Sequence, residues 1–215
     1  MILKRLKIPI EFVGETNCYV LIDENEKQAI VIDPAGKIND IVEILNNLNA
    51  ELKYIYLTHC HADHIKGANE LRKVKGGKIL IHRNGRENLA NRTPLLDDYV
   101  GLPPIYLKED SIVDDEDLLH IGQIELKVIF TPGHTNDGTC LYCEKEGMLF
   151  SGDTLFKGAW GRVDLPTSSF NDIMNSIINK LLILPDETIV YPGHGDPTRI
   201  GDEKPIYLEA KPKKD

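Results

Sequence analysis

Four cysteines in 215 residues, Cys18, Cys60, Cys140 and Cys143, are too few and too scattered for a disulfide framework. Long hydrophobic runs are also missing, so nothing matches the ~20 apolar residues that cross a bilayer. No apolar core of the secretory kind follows the Lys/Arg-bearing N-terminus, and a cytoplasmic location with reduced thiols is expected. Positive charge is in deficit, 25 Lys and Arg against 34 Asp and Glu for a net charge of −9. The longest basic cluster, Lys211 to Lys214, is too small to hold a phosphate backbone. Nucleic acid and membrane are thereby disfavoured as partners, and a small-molecule substrate is expected. Cys140 and Cys143 spell CxxC, but residues three apart on a strand face opposite ways, so they read as buried small hydrophobes and not as a metal or redox pair.

What the chain does have is a series of short β-branched runs: Cys18 to Ile22, Ala29 to Ile32, Tyr54 to Leu57, Lys78 to Ile81, Ile124 to Phe130, Met148 to Phe150 and Thr188 to Tyr191. These predict strands, with Met1 to Pro9 as an edge strand and Thr139 to Cys143 as another apolar run. Apolar residues recur at helical spacing in Ile38, Ile41, Val42, Leu45 and Leu48, and again from Phe170 to Leu182, predicting two amphipathic helices laid on a sheet. Ser168 or Ser169 is the expected N-cap of the second helix and Pro185 closes it. Asn91 to Pro104, with three prolines and a glycine, reads as a surface loop or lid. A length of 215 residues suits one domain over 1–215.

Five apolar runs end abruptly in an acid or a histidine: at Asp33, at Thr58-His59-Cys60-His61, at Thr131 to His134, at Ser151 to Asp153 and at Pro192 to His194. Strands lying side by side would bring these ends to one edge, where a rigid scaffold carries functional loops. His59, His61, Asp63 and His64 form H-x-H-x-D-H. Three neighbouring imidazoles resist collecting positive charge in a buried site, whereas a cation uses their neutral lone pairs. In an extended turn His59 and His61 reach one ion, while Asp63 and His64, further along the loop, aim at a second point. A catalytic ion needs about three protein ligands and an open place for water. His134 and His194 complete two sets, and Asp153 bridges them. Two divalent cations outweigh Asp63, Asp153 and a bridging hydroxide, leaving a net cationic site that attracts an acyl oxygen and implies hydrolysis.

The segments THCHADHIKG at Thr58 to Gly67, TPGHT at Thr131 to Thr135, SGDTLF at Ser151 to Phe156 and YPGHG at Tyr191 to Gly195 resemble, in order, the motifs of the metallo-β-lactamase fold superfamily. They look most like its glyoxalase II (hydroxyacylglutathione hydrolase) branch, and the likeness runs from about Thr16 to Asp202. The resemblance implies an α/β, four-layer αββα sandwich of two similar halves with metals at one edge. It implies His59, His61 and His134 on a first ion, Asp63, His64 and His194 on a second, and Asp153 between them, with Asp63 and Asp153 counted as catalytic through the bridging hydroxide. Asp33 is expected to orient the His59 loop without touching metal. Zinc is the expected cofactor, two ions of it, with iron or manganese as alternatives.

Lys157 and Arg162 are candidates for holding a substrate carboxylate, against the alternative of a structural Arg162 to Asp164 ion pair. His82 and His120 are expected in packing or surface roles. Only 21 residues follow His194, so the C-terminal helical domain with which full-length glyoxalase II grips glutathione is expected to be missing, yet thioester hydrolysis remains the leading expectation. The main alternative is a mononuclear iron persulfide dioxygenase, which shares THCHADH. β-Lactam hydrolysis is disfavoured by Asp153, where the secreted lactamases carry cysteine, and RNA processing by the acidic balance. A non-catalytic scaffold has no use for all seven ligands.

Overall fold

The computed structural model describes residues 1–208, so Lys211 to Lys214 lie outside the described residues. The first half of the chain builds one six-stranded sheet in the order β1 (Ile2–Ile10), β2 (Gly14–Ile22), β3 (Gln28–Ile32), β4 (Glu51–Tyr56), β5 (Lys78–His82) and β6 (Ser111–Val113). Strands β1 to β3 pair antiparallel and β3 to β6 parallel. The parallel crossovers carry α1 (Ile38–Asn47), α2 (Ala62–Ile65), α3 (Ala68–Lys75) and α4 (Arg83–Ala90). The second half builds a matching sheet from β7 (Leu118–Ile121), β8 (Ile124–Phe130), β9 (Thr139–Cys143) and β10 (Met148–Gly152). Beyond the small β11 (Leu155–Phe156) and β12 (Ala159–Trp160) hairpin and α5 (Phe170–Ser176), strand β13 (Ile189–Pro192) joins β10 in parallel. β14 (Thr198–Arg199) and α6 (Ile200–Leu208) follow.

Alternation along the strands explains the layering. In β2, Cys18, Val20 and Ile22 face a cluster with Ile41, Leu45 and Leu71 of the helices, whereas Tyr19 and Leu21 face the other sheet. Burial on both faces is why these strands read as continuous apolar runs. The sheet-to-sheet layer meets Tyr19, Ile32 and Tyr56 with Val128, Leu141 and Phe150. A third cluster packs Ile129, Leu149 and Val190 under Ile173 and Ile177. The fold is thus the four-layer αββα sandwich that the motifs implied. Cys140 lies in that third cluster and Cys143 between the sheets, both buried, on opposite faces as their spacing requires. Burial pushes the Cys140 thiol up to about 11.

Several boundaries moved. β1 is the edge strand expected of Met1 to Pro9, extended to Ile10. The second amphipathic helix is α only to Ser176 and continues as a π-helical turn over Ile177–Leu181. Ser169 is its cap, its hydroxyl accepting from Asp172 N–H, while Ser168 bonds to Leu165 instead. Asn91 to Pro104 is a loop broken only by the 3₁₀ turn Thr93–Leu95. Among the described residues no helix is long and apolar enough to cross a membrane.

Parallel pairing sends the C-terminal ends of β3 and β4 to one edge. In the other sheet β8 and β10 flank antiparallel β9 and so run the same way, with β13 parallel to β10. Backbone bonds from Thr139 N to Thr58 O at 2.9 Å and from Asn17 N to Gly193 O at 2.7 Å join the sheets at that edge. Behind it Phe150, fully buried, packs edge-on to Tyr19 at 5.3 Å and against Tyr191 at 5.4 Å. Phe150→Ala is expected to lower unfolding stability by about 3–5 kcal/mol in a denaturant titration, the cost of a large core cavity.

Candidate metal centre

His59 and His61 leave the end of β4, and His61 caps the one-turn helix α2, which carries Asp63 and His64. Those two residues therefore stand on a helical turn and not on the extended loop expected from their spacing. His134 follows β8, Asp153 follows β10 and His194 follows β13. Ring and carboxylate atoms of His59, His61 and His134 gather within 4.8 Å of one another, and so do those of Asp63, His64 and His194. The Asp153 carboxylate lies between the groups, with Oδ2 3.4 Å from His134 Nε2 and 3.3 Å from His194 Nε2, and Oδ1 3.5 Å from His64 Nε2.

The surroundings set which nitrogen of each ring faces inward. A backbone carbonyl only accepts, so His194 Nδ1–H donates to Glu15 O at 2.8 Å and His134 Nδ1–H to Arg162 O at 2.9 Å. Thr58 gives its hydroxyl proton to Asp33 Oδ2 at 2.7 Å, so at 3.0 Å its oxygen accepts from His59 Nδ1–H. His64 Nδ1–H donates to the same Asp33 oxygen at 2.9 Å. Each of these four rings keeps Nε2 for the centre, its other nitrogen being held by an outer hydrogen bond as is usual for metal-binding imidazoles, while His61 turns Nδ1 inward, 2.9 Å from His134 Nε2. Among the described residues, buried polar atoms without a partner include His59 Nε2 and Asp153 Oδ1. Such atoms are costly to bury unless something coordinates them, so the donor set fits a pair of divalent cations.

Electrostatics divides the two groups. Burial drives His59 well below the usual imidazole range, and burial with His134 nearby takes His61 down to about 3, so both are neutral. Burial also disfavours charge on His64 and His194. There the carboxylates win: Asp63, Asp153 and Asp33 raise His64 to about 9, and Asp153 and Asp63 raise His194 to about 11. Asp63 and Asp153, despite burial, are held below the ordinary carboxylate range by these histidines.

Asp33 reaches the His59 loop through Thr58, whose N–H donates to Oδ1 at 2.8 Å, and also grips His64 directly. Thr16, which no local pattern singled out, donates its hydroxyl to Asp63 Oδ2 at 2.9 Å from a fully buried position in β2. Gly193 is needed for closeness: a Cβ there would lie 2.2 Å from Asp153 Oδ1 and 2.8 Å from His64. Arg162 borders the cleft over the centre, yet both its Nε and Nη2 are taken by Asp164 at 2.9 Å. Lys157 does not line that cleft; it sits exposed in the turn between β11 and β12, where its charge acts on Asp202. His82 is buried, stacked 4.1 Å from Phe130, and His120 is exposed beside Glu125.

Two outcomes follow from these contacts. Thr16→Val is expected to weaken the cation held by Asp63, His64 and His194 by about 10- to 100-fold in chelator competition, with Thr16→Ser close to wild type and the other cation retained. Loading of chelator-stripped protein is expected in two steps at pH 7. The His59, His61 and His134 group fills first, with the smaller proton release, because His59 and His61 are already neutral. The second step displaces the protons of His64 and His194, so its affinity rises with pH toward about 9 to 11. Calorimetry in buffers of different ionisation enthalpy reads this, and equal proton release in both steps contradicts it.

The protein family model described as the metallo-beta-lactamase superfamily matches residues 12–194. Hydroxyacylglutathione hydrolase GloC of Haemophilus influenzae is 32% identical over 192 residues, covering 88% of this chain and 90% of that protein. The crystal structure of BLEG-1 B3 metallo-beta-lactamase superposes with a TM-score of 0.85 at 34% identity, covering 95% of this chain and 97% of that one. ETHE1 from Myxococcus xanthus superposes at 0.80 with 28% identity, covering 96% and 83%. TTHA1623 in a di-iron-bound form superposes at 0.79 with 27% identity, covering 93% and 96%. With a family match across most of its length and two carboxylates set among five histidines at the shared edge of its sheets, the chain belongs to the metallo-beta-lactamase superfamily.

Proposed function

We propose that this metal-dependent hydrolase of the metallo-β-lactamase fold is a thioesterase of hydroxyacylglutathione hydrolase type with a binuclear centre. The observation that carries the reading is Asp153, whose two oxygens face both histidine groups and thereby suit a shared ligand between two ions. The relative named hydroxyacylglutathione hydrolase and the di-iron-bound neighbour support it. Zinc suits the nitrogen and carboxylate donors, and iron is the alternative that the neighbour raises.

Bound divalent ions lower the pKa of a coordinated water into the neutral range and polarise an acyl oxygen. The protein's own contribution is positional. Asp33, Thr58 and the carbonyls of Glu15 and Arg162 fix the imidazoles, so little rearrangement accompanies the reaction. Water adds its oxygen to the carbonyl carbon, the C–S bond breaks with its electrons going to sulfur, and a carboxylate, a thiol and one proton result. A thiolate leaves readily, so no side chain is required as general acid. A cytoplasmic compartment fits such chemistry.

Asp153→Ala is expected to lose at least one metal equivalent and more than about 100-fold in kcat/KM, the scale of removing a transition-state stabilising group. Cys140→Ala, by contrast, leaves metal content and turnover near wild type. Normal turnover in Asp153→Ala refutes the bridging role.

A second reading, a mononuclear iron persulfide dioxygenase, is favoured by the likeness to ETHE1. Metal analysis, combined with a panel of thioesters, lactones, β-lactams and persulfides under oxygen-uptake monitoring, separates the two. Two metals with thioester cleavage supports the first reading. One iron with persulfide-dependent oxygen consumption replaces it.

A further inference from the structure

His61, Asp63, His134, Asp153 and His194 form the floor of a cleft of about 270 Å³. Its walls are apolar. Phe12 and Val13, at the turn joining β1 to β2, line it together with Leu96, Tyr99 and Val100 of the long loop. Phe12 is 80% exposed and Tyr99 62%. Phe12 also occupies the left-handed region at φ 64°, which a bulky residue disfavours. An aromatic ring held in water on such a backbone does nothing for the fold, and strain of this kind collects where ligands bind. The two lips nearly meet: a Cβ on Gly101 would lie 3.3 Å from the Phe12 ring.

Charge gives the cleft little else with which to select a substrate. Arg162, the lone arginine or lysine of the lining among the described residues, already holds Asp164 through two hydrogen bonds and lies 3.5 Å from the Tyr99 hydroxyl. A space of this volume, shared with the reacting carbonyl, has no room for both an acyl group and a tripeptide-sized thiol carrier. The smaller and less polar part belongs inside.

We propose that Phe12 and Val13, with Leu96, Tyr99 and Val100, seat an apolar acyl group directly above the metal ligands, so that the enzyme selects thioesters of short apolar acids by the acyl side, with the charged carrier left outside. This rests on the thioesterase reading and deepens it. The site's continuity with the reacting floor is what assigns the lips to the acyl chain and not to another protein.

The metal-loaded enzyme is assayed with acyl-glutathione thioesters from acetyl to hexanoyl, and then with one acyl group on glutathione, coenzyme A and N-acetylcysteamine. The expected result is a rise in kcat/KM of about three- to fourfold per methylene, the value for moving a methylene from water to an apolar surface. Variation of the thiol has a smaller effect. Phe12→Asn, in which asparagine tolerates the left-handed backbone, flattens the acyl series. A flat wild-type series, or selectivity that follows the thiol alone, overturns the inference while leaving the thioesterase reading intact. Absence of turnover with every thioester overturns that reading instead. Calorimetric binding of straight-chain carboxylates from butanoate to octanoate then tests the lips: affinity that climbs with chain length in wild type but not in Phe12→Asn upholds them, and a flat series rejects them. A concentration-dependent dimer that Phe12→Asn dissolves assigns the tip to a second copy and also rejects the proposal.

Discussion

A carboxylate buried among imidazoles, with no lysine or arginine partner among the described residues, is the constraint on which this molecule turns. Asp153 stands 3.3–3.5 Å from nitrogens of His64, His134 and His194. Such a cluster is costly to assemble, because burial opposes charge on every member. What makes it possible is the rigidity behind it. Aromatic and β-branched residues fill the layer between the sheets, and strand ends from both sheets are tied by backbone hydrogen bonds beside the site. Polar positioning at the edge rests on apolar packing within.

Within the centre the two groups differ in what supports them. The His59, His61 and His134 group leans on Thr58 and on the Arg162 carbonyl, whereas Asp63, His64 and His194 lean on Thr16, Asp33 and the Glu15 carbonyl. Glu15 and Thr16 belong to the strand that rises into the Phe12 turn. The turn whose apolar side chains line the cleft therefore runs directly into the strand that steadies the more charged half of the centre.

Much of this was legible in the sequence because it is local. Runs such as AIVI before Asp33 and IYL before the His59 cluster state both a strand and its functional end within a few residues, and parallel pairing does the rest. The αββα layering followed from the family resemblance that the motifs carry. Less legible were features with no local signature. Thr16 meets Asp63 across 47 positions, and no spacing rule links them. That α2 is a helical turn is hidden because four residues are too few for a period to appear. The π-helical turn after Ser176 keeps its apolar face on the core, so its sequence pattern resembles an ordinary helix. Arg162 and Lys157 looked alike as candidate cations; only the tertiary fold sets one in the cleft lining and the other outside it, exposed in the β11–β12 turn.

Each of the two trios beside Asp153 draws on both sheets: His134 joins His59 and His61 from the first half, and His194 joins Asp63 and His64. A ribosome therefore releases residues 59 to 64 long before their counterparts exist, and neither trio closes until the corresponding later strand has docked. Ion capture at the Asp63 trio is accordingly a late event in biogenesis, a molecular receipt that both sheets have come together.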